Sequence, residues 1–342
     1  MSYAQARLRL GVAAVGWWVL LCLLLLRSRL AECITLNEMA ATYLLCSAFF
    51  DVLGGQLLPW RWRKARVGWG RWLALYVRGL LLHTGLWFLG VLSTCLIYQK
   101  LGLLAGPCWF VLATLGLARS QLLLLRAMGV KVEGRVWGWE VRACDQRFSG
   151  GLLGPPVPGR EATVLPSHWL ASEAPSGLEQ AIGRRRALSV SGARAAGWWL
   201  GVLFDAWVLA RALQWSGGQP AVMVCWATLL SLVGLLVLPG LSRPGVLAAD
   251  RLAPCPEEWL SWLERQQEED PVRNRWVERI FHPLPQWSVR RAHLKSGRPP
   301  KIWPWNPARY ALICSLLCGS LLSRAVHCNC GRPELWFWPP ND

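Results

Sequence analysis

Acidic residues are scarce in this chain: 20 Asp and Glu stand against 37 Lys and Arg, and the four types together make 17% of the 342 residues. A soluble chain carries about 25% charged residues, so the shortage argues against a surface that is wet all round. Also missing is the Gly-rich loop that cradles phosphates. Gly150-Gly151 is not followed by Gly-Lys-Ser/Thr, and Gly54-Gly55 lies inside an apolar run. There is no internal repeat and no long low-complexity tract, so neither organises the chain. The net charge of +17 raises nucleic acid as a partner, but the basic residues form no binding face. They gather beside apolar blocks, which turns the reading away from nucleic acid.

The apolar residues come in uninterrupted blocks. Leu10 to Leu26, Gly79 to Tyr98 and Ala221 to Leu241 hold no charge, and Met39 to Trp60 holds only Asp51. A helix crossing ~30 Å of hydrocarbon needs about 20 such residues, because only a helix or a closed barrel satisfies its own backbone there. Leu101 to Leu117 and Gly197 to Leu213 are weaker spans, the second interrupted by Asp205 and Arg211. The first block reads as a span and not as a cleaved signal, since no small-residue cleavage site follows it.

Basic residues mark alternate ends of these spans. Arg7 and Arg9, then Arg61 to Arg71, Arg184 to Arg186, and Arg290 with Arg291 lie on one side. Cys33 to Asn37 and Trp215 to Pro220 carry none. The positive-inside rule then puts the N-terminus in the cytoplasm. The expected order is four helices in two hairpins over 1–128, a cytoplasmic segment over 129–196, a membrane hairpin over 197–241, a second cytoplasmic segment over 242–306, and a short apolar helix with a tail over 307–342. Many of the 24 Trp, among them Trp60, Trp62, Trp69, Trp72 and Trp215, lie at span ends, where an indole favours the headgroup layer. Tyr310 to Ser323 is short for a crossing. The expectation is that it spans, with Arg309 and Arg324 snorkelling outward; an interfacial or re-entrant run is the alternative.

The cytoplasmic segments have local patterns of their own. Val130 to Val136, Trp137 to Val141 and Ala162 to Leu165 read as strands, separated by Gly and Pro from Gly150 to Gly159. Leu170 to Leu188 reads as a helix with Leu178, Ile182 and Leu188 on one face. Pro256 to Glu269 reads as another, with Trp259, Leu260, Trp262 and Leu263 opposite Glu257, Glu258, Glu264 and Glu268.

This layout resembles the membrane zinc metalloproteases of the HtpX and CAAX-prenyl-protease type, and the likeness covers Val130 to Leu294. Phe148-Ser149-Gly150-Gly151-Leu152-Leu153, followed by Val164-Leu165-Pro166, is similar to the hairpin before their active-site helix. Gly177 to Ile182 is similar to the approach to that helix. Ser242 and Arg243, then Ala249 and Asp250, are similar to the S-R-x-x-E-x-x-A-D segment that carries the third zinc ligand. His282 and Pro283 with Arg290 and Arg291 echo a later motif. The resemblance implies a mainly α, polytopic fold of about six or seven membrane helices with a small split α+β metalloprotease-like domain in the cytoplasm.

The catalytic set of that family is missing. It needs H-E-x-x-H on a helix, two His holding zinc and a Glu serving as base. On the aligned positions Arg185 and Arg186 replace the first His and the Glu, Ser189 replaces the second His, and Val246 replaces the Glu ligand. The expectation is therefore a pseudoenzyme without cofactor: a scaffold, regulatory or substrate-holding subunit of a bacterial cytoplasmic membrane, with a membrane protein as partner. The Phe148 to Leu153 strand would be its peptide-binding edge. Arg184, Arg185 and Arg186 read as a solvated, topology-setting run or as a patch for anionic lipid headgroups. An active protease and a transporter or channel subunit are the alternatives.

Asp51, His83, Asp205 and Arg211 fall in or near spans, where ionisable groups mark function by default, and His83 is a possible partner of Asp51. His168, His282 and His293 are scattered. His327, Cys328 and Cys330 offer ligand atoms without a second cluster to complete a tetrahedron, so a free or disulfide-linked tail is the plainer reading. Asp250 shows no partner in the sequence and reads as a structural carboxylate.

Overall fold

Long apolar helices dominate the computed structural model, which describes residues 2–62, 64, 67–129, 131–136, 139–144, 163–166, 175–266, 278, 284–296, 301–324, 330–333 and 336–337. Among these residues, five helices are long and apolar enough to cross a membrane: α1 (Tyr3–Arg27), α2 (Leu36–Arg61), α3 (Trp69–Leu101), α7 (Ala193–Ser216) and α8 (Pro220–Asp250). A sixth span is formed if the bent pair α4 (Ala105–Arg119) and α5 (Gln121–Ala127) is counted as one, with a 63° break between them. The protein is a mainly α-helical membrane protein, and Leu10 to Leu26, Met39 to Trp60, Gly79 to Tyr98, Gly197 to Leu213 and Ala221 to Leu241 each lie on one of these helices.

Capping explains where the first two spans begin. Ser2 Oγ accepts from the Gln5 amide at 3.2 Å while the Gln5 side chain accepts from the Ser2 amide at 3.1 Å. Thr35 and Glu38 repeat the arrangement at the start of α2. Each reciprocal pair satisfies two of the amides that a helix start leaves without partners.

The chain forms two units. The first comprises Met1–Leu117, Val202–Gly234 and Ala311–Phe337. Trp18, Cys22, Tyr43, Trp87, Val91 and Cys95 are buried within it, while Leu20, Leu24, Leu45, Phe49, Leu81 and Leu89 are exposed and apolar, the surface that hydrocarbon covers. A π-helical turn, Leu53–Leu57, interrupts α2 and carries Gly54 and Gly55. Side chains there would collide with the backbone of Cys330 and Gly331, so the two glycines admit the C-terminal segment against the helix.

That segment corrects one expectation. Tyr310 to Ser323 is not a single spanning helix: α11 (Pro307–Cys314) ends at Cys314, and turns follow to Arg324. The turns are buried inside the first unit, with the Leu321 amide donating to Thr228 Oγ1 at 3.1 Å and Gly319 at φ +86° beside Val91 and Met223. Irregular backbone at membrane depth survives only where protein surrounds it. Arg324 does not snorkel either; it is 3% exposed and bonded to Asp51.

The second unit comprises Ala118–Gly201, Leu235–Tyr310 and Trp338–Asp342. Its strands, β1 (Val132–Val136), β2 (Trp139–Cys144) and β3 (Thr163–Pro166), form one sheet in that order. β1 and β2 run antiparallel, and β2 pairs with β3 in parallel, Val141 opposite Thr163. The same unit holds α6 (Pro175–Val190), α9 (Pro256–Gln266) and α10 (Trp287–Lys295). Leu165, Leu178, Ala181, Ile182, Ala253, Trp259, Leu260 and Trp262 make the core, with Trp287 and Leu294 against it. The apolar stripes read from the sequence are thus the buried faces of α6 and α9. Gly177 lets α6 approach the Trp262 ring, which any side chain there would strike.

Candidate functional site

Asp250 is the centre of the second unit. It ends α8, and its carboxylate is 1% exposed. Arg290 of α10 grips it with two parallel bonds, Nε to Oδ2 at 2.7 Å and Nη2 to Oδ1. Such bidentate, charge-assisted contacts are the strongest kind available to a carboxylate. Arg184 of α6 adds a longer bond to Oδ1 at 3.4 Å, and Trp259 Nε1 another at 3.4 Å. The Arg184 guanidinium lies 5.0 Å from the Trp259 ring centroid and that of Arg290 4.7 Å from the Trp287 ring. One acid thus ties together α6, α8, α9 and α10.

Arg184 to Arg186 are not the solvated triplet or lipid patch that the sequence led one to expect. Arg184 and Arg185 are 3% and 6% exposed, and only Arg186 faces outward. The helix periodicity accounts for it: α6 turns Leu178, Ala181, Ile182 and Leu188 to the core, and Arg184 and Arg185 share that buried side. Ser189, one turn beyond Arg185, donates to the Arg185 carbonyl at 3.1 Å and accepts from Nη1 of the buried Arg194 at 3.0 Å. Val246 is buried on α8, one turn before Asp250. The positions aligned with a zinc site therefore hold two guanidinium groups, a hydroxyl and an alkyl group. Zinc needs imidazole, thiolate or carboxylate donors, and guanidinium offers no acceptor, so these residues do not fit a divalent cation. Among the described residues no three of His, Cys, Asp and Glu stand close enough to hold one.

Ser242 Oγ donates to the Leu238 carbonyl at 2.8 Å and accepts from the Ala308 amide at 3.1 Å. Arg243 pairs with Glu278 at 3.0 Å, and the Gln286 amide shares that oxygen at 3.0 Å. Ala249 is buried. Phe148 to Leu153, His168, His282, Pro283, His327 and Cys328 lie outside the described residues. Cys330 is buried in the first unit, where its carbonyl accepts from Arg7 at 3.3 Å. Glu278 and Arg194 carried no sequence signal, because neither stands in a motif.

The first unit holds a second polar centre. Asp51 on α2 accepts from Arg324 Nη2 at 2.6 Å and from the Gly331 amide at 2.8 Å. Its partner is therefore Arg324 and not His83. His83 Nε2 lies 3.4 Å from Ser323 Oγ, and its ring faces Tyr43, Trp336 and Phe337. Asp205 on α7 is also buried. Arg211 is exposed and donates to Gln214 at 2.9 Å. Compared with protein-family models, with curated proteins and with solved structures, the chain matches none.

Proposed function

We propose that the protein is a non-catalytic membrane subunit, a scaffold, regulator or substrate holder, built on the frame of a membrane zinc metalloprotease whose metal site is lost. The observation that carries the reading is the Arg184–Asp250–Arg290 cluster. In the family the segment similar to Ser242–Asp250 supplies a ligand close to the active-site helix. Here the corresponding helices are joined by charge-assisted hydrogen bonds, and Arg185 stands where a ligand would be needed. The frame is the split α+β domain of the resemblance, formed by segments on either side of a membrane hairpin. A membrane protein is the partner it would hold.

Purified full-length chain should contain zinc well below one per molecule, and any peptide turnover should be indifferent to chelators. A metal-bound hydroxide cannot form without ligands and base, so stoichiometric zinc together with chelator-sensitive proteolysis would overturn the reading.

The N-terminus and the second unit face the cytoplasm in this proposal, in a bacterial inner membrane. The exposed Arg9, Arg71 and Arg186 on that side carry the attraction to anionic headgroups, each contributing about 1 kcal/mol close to the surface. Reporters inserted beside Arg71 and beside Gly218 should report opposite sides of the membrane, with Arg71 inside. Finding both on one side would refute the orientation.

A further inference from the structure

The ion pair in the first unit is incompletely satisfied, and in a way that points to a ligand. Arg324 uses only Nη2 on Asp51; its Nε and Nη1 have no hydrogen-bond partner. The Tyr43 and Tyr76 hydroxyls and His83 Nδ1 are likewise buried without one. Tyr76 stands beside the Asp51 carboxylate and Arg324, and Tyr43 beside Ser323, yet neither hydroxyl makes a bond of ordinary geometry. The guanidinium lies 5.1 Å from the Tyr43 ring centroid and 4.2 Å from that of Trp336. These groups come from α2, α3 and the buried C-terminal segment, all within one unit.

Buried polar groups are nearly always paired, and a cluster of exceptions calls for a missing water, ion or ligand. The missing group has a definable chemistry. Guanidinium nitrogens only donate, and phenols and an imidazole N–H donate readily, so what completes the centre must accept several hydrogen bonds at once. The rings of Tyr43, Trp87, Trp336 and Phe337 surround the donors with apolar faces. Asp51 already balances the charge of Arg324, so an anion must arrive with a proton or as its acid. We infer that this centre is a binding site for a small carboxylic acid, its carboxyl oxygens accepting from Arg324, Tyr43 and Tyr76. Binding here does not depend on the function proposed above.

The experiment uses the full chain in detergent micelles, titrated with formate and acetate against chloride at constant ionic strength. Thermal midpoint and tryptophan fluorescence are the readouts. A saturable shift with the carboxylates is expected, weakened about fivefold in Tyr43→Phe and in Tyr76→Phe, the factor carried by the loss of one ordinary hydrogen bond to an uncharged acid. Without ligand both variants should keep a thermal midpoint close to the parent's, because neither hydroxyl makes a hydrogen bond of ordinary geometry. Arg324→Lys should abolish the shift; if that variant does not fold, the two phenylalanine variants still decide. The proposal is overturned by the absence of a saturable shift, by a shift that chloride matches, or by unchanged affinity in both phenylalanine variants.

Discussion

The Asp250→Asn variant is expected to lose about 3–5 kcal/mol of stability, because the exchange leaves Arg184 and Arg290 charged and buried without their carboxylate. The effect should concentrate in the second unit. Amide hydrogen exchange in the full-length protein should accelerate in Pro175–Val190 and Trp287–Lys295, the two helices whose arginines meet at Asp250, ahead of Tyr3–Arg27. Arg290→Gln should cost less, since Arg184 and Trp259 remain to hold the acid. Replacing the whole cluster by apolar residues of similar volume should recover much of the loss, as buried ion pairs often exchange for hydrophobic packing at little cost. A loss below about 1 kcal/mol for Asp250→Asn is the value expected of a solvent-screened pair and would mean that water reaches the cluster.

The contrast between Asp250 and the membrane spans shows what a sequence carries. A span is a local property: about 20 apolar residues in a row meet the requirement of the bilayer whatever surrounds them. Leu10 to Leu26, Met39 to Trp60, Gly79 to Tyr98 and Ala221 to Leu241 are helical for that reason. The stripes on Pro175–Val190 and Pro256–Gln266 are equally local, because a helix repeats its face every few residues. Pairings are not local. Asp250 lies 66 residues from Arg184, and Asp51 lies 273 residues from Arg324. Nothing in either neighbourhood distinguishes a buried arginine from one that sets topology, so Arg184 and Arg185 read as solvated. Tyr310 to Ser323 misled for a related reason: hydropathy measures exclusion from water and does not separate lipid from the interior of a bundle. The metalloprotease likeness stays a proposal, carried by the order of short motifs and by the meeting of α6 with the end of α8.

The Asp51→Asn variant should lose about 3–5 kcal/mol, with Arg324 left charged inside the first unit. The asparagine can still accept from the Gly331 amide, so the loss isolates the ion pair from the backbone bond. Arg324→Gln should cost a comparable amount, this time by leaving Asp51 without its cation. The double variant is the informative one. With both charges gone, an amide pair fills the space and most of the loss should return, giving a coupling energy well above the few tenths of a kcal/mol seen for independent sites. The first structural consequence of either single change should be release of the C-terminal segment, because Asp51 binds it at both Arg324 and Gly331. The segment has other ties: Arg7 Nη2 reaches the Cys330 carbonyl at 3.3 Å, and Trp72 Nε1 reaches that of Gly331 at 2.9 Å. These hold backbone oxygens and carry no charge balance, so they cannot offset an unpaired buried charge. Protease cleavage between Ser315 and Phe337 should therefore appear in Asp51→Asn under conditions where the parent chain stays intact. Additive losses in the double variant, or a C-terminal segment as protected in Asp51→Asn as in the parent, would show that the segment is held by apolar packing alone.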